Sequence, residues 1–403
     1  MNWITALFTE HGVANALVVI TLIVAVGLTL SKIKLGKVNL GVTWIIFAGI
    51  AAGQLGLSID PMIAGFVKEF GLILFIYSIG IEVGPKFFSA FKSGGLLLNG
   101  LAALIVVLGC ATMLAIGALT GTRPEAMVGV LYGAVTNTPG LGAAQQAYAD
   151  LGLTGGSELF AQGYALAYPL GVVGIILSIM LLKALFRIDI EKENALYLKN
   201  AARNGIELQR AIAARQKPVS HQPNLFFIFI GIALGVVVGV APMKLPGISV
   251  PVKIGLAGGP LIVSILLTYF GPRLHINTHT TESANLMLRQ VGISLFMAVV
   301  GLGAGQGFVQ TVIGGGWVWV LLGVVITMVP LLVVGAIARW LCHLSYFTIA
   351  GLISGATTDP PALAYAADLF GGSQANIAYT TVYPLSMFLR VLAAQLLVIL
   401  TCV

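Results

Sequence analysis

GAVTNTPGLGAA at residues 133–144 and GATTDPPALAYA at residues 355–366 are two versions of one pattern, each set in an otherwise apolar stretch. The core of the first, Thr136-Asn137-Thr138-Pro139-Gly140, combines hydroxyls, an amide, a proline and a glycine, which a continuous helix disfavours. Its counterpart, Thr357-Thr358-Asp359-Pro360-Pro361, breaks a helix more strongly still, with two consecutive prolines. The pattern predicts an interrupted backbone at both places. Inside a bilayer such an interruption is tolerated only where protein or a water-filled cavity satisfies its polar groups, so the two breaks are expected to face one shared site.

That these segments lie at membrane depth follows from composition. The chain has 403 residues, 58% of them hydrophobic and only 9% charged, with mean hydropathy +1.00, far from the balance of a soluble domain. Crossing about 30 Å of hydrocarbon takes roughly 20 helical residues, and suitable runs recur from 13–30 through to 377–400. A β-barrel would show short alternating segments instead. The first run follows Glu10 and His11 and precedes Lys32, Lys34 and Lys37, the reverse of a signal peptide, so it is expected to be retained with the N-terminus outside. Cys110, Cys342 and Cys402 have neither metal-ligand nor disulfide spacing and read as packing residues. The net charge of +7 comes from basic residues between apolar spans, which membrane topology demands, and no soluble domain is present to bind nucleic acid.

The repetition extends beyond the two breaks. GLILFIYSIGIEVGPKFFSAFKSGG from Gly71 matches GISLFMAVVGLGAGQGFVQTVIGGG from Gly292, with Gly80 and Gly84 opposite Gly301 and Gly305. YALAYPL from Tyr164 matches YTTVYPL from Tyr379. The chain therefore divides into a first membrane repeat (1–186), an amphipathic linker (187–223) and a second repeat (224–403). The linker reads as a surface helix or helix pair that docks on the membrane face or on a second subunit, as in a homodimer, or serves as a passive tether. The expected fold is an all-α polytopic membrane protein, each repeat holding about five spans plus a re-entrant hairpin or broken helix at its fifth segment. Five crossings per half invert the second repeat relative to the first. Lys32, Lys34, Lys37, Lys86, Lys92, the linker, Arg273, Arg289 and Arg339 then lie inside, and only Lys68, Arg123, Lys244 and Lys253 outside, as the positive-inside rule requires.

Gly/Pro-interrupted segments in corresponding positions of two halves point to the midplane site of a secondary transporter. Asp359 replaces Asn137 in the repeat and adds a charge at membrane depth, which costs roughly 2.5 to 3.5 kcal/mol on insertion scales. It is a candidate for binding a coupling cation or proton, with Asn137, or for pairing with a basic group; a simple helix N-cap is the alternative. Arg390, deep in the last apolar run, offers a fork that fits a substrate carboxylate or Asp359; structural pairing or snorkelling is its other reading. Tyr168-Pro169 and Tyr383-Pro384 are expected to kink the last span of each half and shape the scaffold. Glu82 and Glu125 read as interfacial. An enzyme is disfavoured because no apposed acids, nucleophile and base, or metal set is evident; His275 and His279 form one lone pair in a polar loop.

The duplicated blocks and the paired YPL segments resemble those of the aspartate:alanine exchanger family, over both membrane halves. The resemblance implies a bacterial inner-membrane secondary transporter exchanging amino acids or related carboxylates without ATP. It also implies an inverted-repeat fold akin to sodium/proton antiporters and bile-acid symporters. Many members carry soluble regulatory domains between the halves, where this chain has only 187–223. Carried onto this sequence, the site-forming motifs are Thr136, Asn137, Thr138 and Pro139 in one half and Thr358, Asp359, Pro360 and Pro361 in the other. The expected activity is exchange or ion-coupled transport of a small carboxylated solute, with a sodium ion or proton as coupling ion and no other cofactor. Sodium/proton antiport is the alternative.

Overall fold

In a computed structural model of the chain, residues 12–33, 41–88, 95–193, 223–242, 253–274, 276, 278, 280–370 and 374–402 are described. Most of the linker, His275 and His279 lie outside these residues. The first half comprises α1 (Val13–Leu30), α2 (Trp44–Gln54, entered through a 3-10 turn at Gly41–Thr43), α3 (Pro61–Phe87), α4 (Gly95–Thr120), α5 (Pro124–Ala134), α6 (Thr138–Asp150) and α7 (Ser157–Leu185). The second comprises α8 (Leu225–Val240), α9 (Gly255–Phe270), α10 (Glu282–Gly305), α11 (Trp317–Trp340), α12 (Tyr346–Ala356), α13 (Pro360–Phe370) and α14 (Gln374–Thr401). No strand occurs among the described residues.

Eight of these helical stretches are long and apolar enough to cross a membrane, so the protein is a polytopic α-helical membrane protein. Their outer faces leave Met62 85% and Leu119 86% exposed, which only lipid or another apolar surface would cover. Local starts are written in the sequence. Asp60 caps α3 by accepting from the Met62 and Ile63 amides (2.9 and 3.1 Å), with Pro61 at the first helical position. Thr281 and Ser345 cap α10 and α12 in the same manner.

Helices seven elements apart occupy corresponding places, and the packing repeats with the halves exchanged: α2 lies along α10 as α9 lies along α3, and α5 along α7 as α12 along α14. The glycine ladders of α3 and α10 serve these contacts. Gly80 and Gly84 face Ser264 and Thr268 of α9, while Gly301 and Gly305 face Gly49 and Gly53 of α2, so both are close-approach surfaces. Directions follow from such pairs. Gly109 and Gly117 of α4 meet Leu131 and Met127 of α5, an antiparallel run. Gly323 meets Val130, and the Thr327 hydroxyl donates to the Ala134 carbonyl (2.7 Å), so α5 runs parallel to α11. The corresponding helices α4 and α11 therefore run in opposite directions.

The fifth segment of the first half goes in and comes back. An 11-residue helix such as α5 is roughly 16 Å long, about half the hydrocarbon thickness. Tyr148, near the end of α6, donates to Glu125 at the start of α5 (3.3 Å), and Arg123 bonds both Glu125 (2.9 Å) and the Gly155 carbonyl (3.1 Å). The mouth of this first hairpin is thus closed on one face of the bundle, and α7 starts beside it: Gly129 lies against Phe160 and Gly133 against Tyr164. In the second half, Gly351 lies against Ala375 and Gly355 against Tyr379, so α12 likewise enters beside the start of α14. Glu193, the last described residue of the linker, reaches the mouth of this second hairpin. It pairs with Arg339 (2.6 Å) and accepts from the Tyr346 amide (3.4 Å). Helices α1 to α3 pack mainly with α8 to α10, and the two hairpins pack mainly with α4, α7, α11 and α14. Among the described residues, six helices therefore form a body beside a hairpin-bearing bundle.

Candidate functional site

Both helix breaks are present, and they share one geometry. After α5, Val135 is the cap residue and Thr136 turns left-handed with φ +54°; after α12, Thr357 is the cap and Thr358 has φ +57°. In each, the amide after the left-handed residue reaches back five positions, Asn137 to the Tyr132 carbonyl (2.9 Å) and Asp359 to the Ser354 carbonyl (2.9 Å). This is a helix C-cap of the Schellman type, in which glycine is the usual left-handed residue. A β-branched residue there costs roughly 1–2 kcal/mol. The structure shows what the threonines do in that place: the Thr136 hydroxyl donates to the Thr357 carbonyl (3.1 Å), and the Thr358 hydroxyl accepts from the Asn137 amide nitrogen (3.0 Å). The tips of the two hairpins are joined through these side chains.

Of the residues expected at the site, Thr136, Asn137, Thr138, Thr357, Thr358, Asp359 and Arg390 are all buried. Asn137 also caps α6 by accepting from the Gly140 amide (2.8 Å), and its amide nitrogen reaches the Met387 sulfur (3.4 Å). Pro139 follows at the start of α6, Pro360 and Pro361 open α13, and the Thr138 hydroxyl bonds the Tyr164 hydroxyl (2.8 Å). Pro169 and Pro384 lie inside α7 and α14. The Tyr168 ring lies tilted against that of Tyr164 with centroids 5.4 Å apart, and Tyr383 stacks on Tyr379 at 5.3 Å.

Asp359 and Arg390 do not pair with each other. The Arg390 Nε and Nη2 atoms both donate to the Ala356 carbonyl (2.8 and 2.6 Å), at the C-terminal end of α12, where the helix dipole favours a cation. Tyr132 donates to the Arg390 carbonyl (2.8 Å) and ties the first hairpin to α14. Asp359 is 1% exposed, and neither of its carboxylate oxygens has a hydrogen-bonding partner among the described residues. A carboxylate so placed is held neutral by a proton or compensated by a cation.

Three contributors were not singled out from sequence: Tyr132, Ser354 and Met387. Tyr132 and Ser354 carry no polar motif of their own. What could have found them is their distance from the breaks, five residues before Asn137 and Asp359, where a C-cap of this type takes its acceptor.

Comparison with known proteins gives the relationships of the chain. A family model described as a predicted permease membrane region matches residues 19–184 and 227–399, one match per half. An uncharacterized transporter of Bacteroides fragilis is 39% identical over 543 aligned residues, covering 96% of this chain and 96% of the relative. An uncharacterized transporter of Bacteroides thetaiotaomicron is 36% identical, covering 99% and 100%. The first alignment spans 543 positions against the 403 residues of this chain, so at least 140 of them are filled by the relative alone. No solved structure matches.

Proposed function

This chain belongs to the aspartate:alanine exchanger family of permeases, and from that premise we propose that it moves a small carboxylated solute, such as an amino acid or dicarboxylate, by exchange or ion-coupled alternating access. The observation that carries this reading is the meeting of two half-length hairpins at joined tips beside an uncompensated carboxylate. The helix ends at the tips present N–H groups to an anion and carbonyls to a cation, which suits a solute that travels with a coupling ion. Thr136, Asn137, Thr138, Pro139 and Gly140 would line the site from one side, and Thr357, Thr358, Asp359, Pro360 and Pro361 from the other. Arg390 would hold the α12 end in place and present positive charge to the solute carboxylate.

The opposite run of α4 and α11 supports an inverted pair of repeats, and the division into two helical bodies supports an elevator-like stroke of the hairpin bundle against the rest. With five crossings per half, the bias of basic residues supports an N-terminus and Lys68 outside and a linker inside a bacterial inner membrane.

The test is counterflow of labelled aspartate and alanine in proteoliposomes, with internal and external pH and sodium varied. Saturable counterflow is expected. Asp359→Asn is expected to keep the fold and lose the dependence on the coupling ion; uptake with an unchanged pH and sodium profile would remove Asp359 from that role. The unpartnered Asp359 also favours a second reading, sodium/proton antiport. A sodium-driven pH change without amino-acid counterflow would select it.

A further inference from the structure

The two halves differ at one pair of positions where the repeat would make them equal. In the register that sets Gly71 opposite Gly292, Lys68 corresponds to Arg289 and Glu82 to Gly303. On the face that bears the second hairpin's mouth, Arg289 of α10 pairs with Glu82 of α3 (2.5 Å). On the opposite face, Lys68 of α3 and Gly303 of α10 line a common cavity instead, and the position that corresponds to Glu82 carries no carboxylate. Lys68 has no ion-pair partner among the described residues. In its place lies a cavity of about 390 Å³, lined by Lys68, Gly303, Gly65, Gln145, Ser157 and Gln306 among others. A β-carbon built on Gly303 meets nothing within 4 Å. Gln145, which reaches the cavity from the return helix of the first hairpin, is 5% exposed, and its Oε1 has no hydrogen-bonding partner. Glu158 on the rim is exposed and forms no ion pair with Lys68.

From this asymmetry we infer that the cavity is a second binding site, in which a carboxylate of the solute takes, beside Lys68, the position that Glu82 takes beside Arg289. The inference rests on the transport reading above. The site lies between the six-helix body and the hairpin bundle. Its walls include Ala161, three residues before the Tyr164 that bonds Thr138 at the hairpin tip. A solute held there waits outside the first hairpin. The unpartnered acceptor of Gln145 favours solutes that also carry an N–H donor, as amino acids do.

The test uses the full chain with Cys110, Cys342 and Cys402 replaced by serine and Gly65→Cys as the reporter, since a β-carbon at Gly65 also meets open space. In proteoliposomes, the modification rates by a negatively and a positively charged methanethiosulfonate are compared. Lys68 is expected to raise the negative-to-positive rate ratio, and either Lys68→Gln or Gly303→Glu to lower it by about fivefold. Sodium aspartate should slow modification in the parent and not in Gly303→Glu, which supplies the carboxylate from within. A ratio that neither substitution moves overturns the site, and so does protection by sodium chloride equal to that by aspartate at the same ionic strength. Should Gly303→Glu fail to fold, Lys68→Gln alone decides. Charge-dependent labelling without amino-acid counterflow overturns the transport reading only; counterflow with charge-blind labelling overturns this site only.

Discussion

Thr136 and Thr358 hold left-handed backbone that glycine would adopt without strain, and both spend their hydroxyls on the opposite hairpin. Two substitutions separate strain from bonding. Thr136→Gly relieves the backbone while losing one hydrogen bond, so its stability is expected to stay within about 1 kcal/mol of the parent. Thr136→Val loses the same bond and keeps the strain, and should fall below the glycine variant by about 1–2 kcal/mol. Thermal midpoints would check the order; a valine variant as stable as the glycine one would remove the claim of strain. The sequence named the residues at the tips because their types conflict with helix. It left the partner of Arg390 open between a substrate, Asp359 and a structural group. That choice depends on where the Ala356 carbonyl points, a matter of three-dimensional placement that spacing does not encode.

Among the elements, the hairpins depend on close approach to the long helices that follow them. A methyl group on Gly133 would collide with the Tyr164 carbonyl oxygen, whereas one on Gly100 of α4 would meet nothing within 4 Å. Gly133→Ala is therefore expected to cost about 1–3 kcal/mol, and Gly100→Ala to be neutral or stabilising by about 0.5–1 kcal/mol. Denaturation of the two purified variants checks both signs, and equal midpoints would mean that α5 and α7 can part at little cost. The existence of these helices was legible from apolar runs, and the breaks in them from their prolines. Whether the fifth segments crossed or returned was not, because periodicity carries no direction. The contact of Tyr148 with Glu125 settles it for the first hairpin, and those residues lie 23 positions apart on helices that either topology would contain.

At the scale of the whole molecule, the six-helix body and the hairpin bundle meet along α3, α6, α9 and α14, among other helices. Gly142 of α6 touches Leu72 of α3, its built β-carbon 3.3 Å from the leucine Cγ. Cysteines at these two positions fall within reach of a disulfide. Oxidation of the Leu72→Cys/Gly142→Cys pair is expected to stop counterflow and a reductant to restore it. Full exchange through a completely crosslinked protein would rule out a stroke of one body past the other. The repeated blocks announced two related halves, and the family model matches residues 19–184 and 227–399.

The two hairpins are fastened by different means. The first is clasped by Arg123 and Glu125, both its own, while the second is clasped by Glu193, which belongs to the connector between the halves. A tug on the chain beyond residue 193 therefore reaches the root of the second hairpin directly, through the Glu193 carboxylate, and the first only by way of α7. The family match breaks off at 185–226, so any module grafted there would hold a leash on half of the machine.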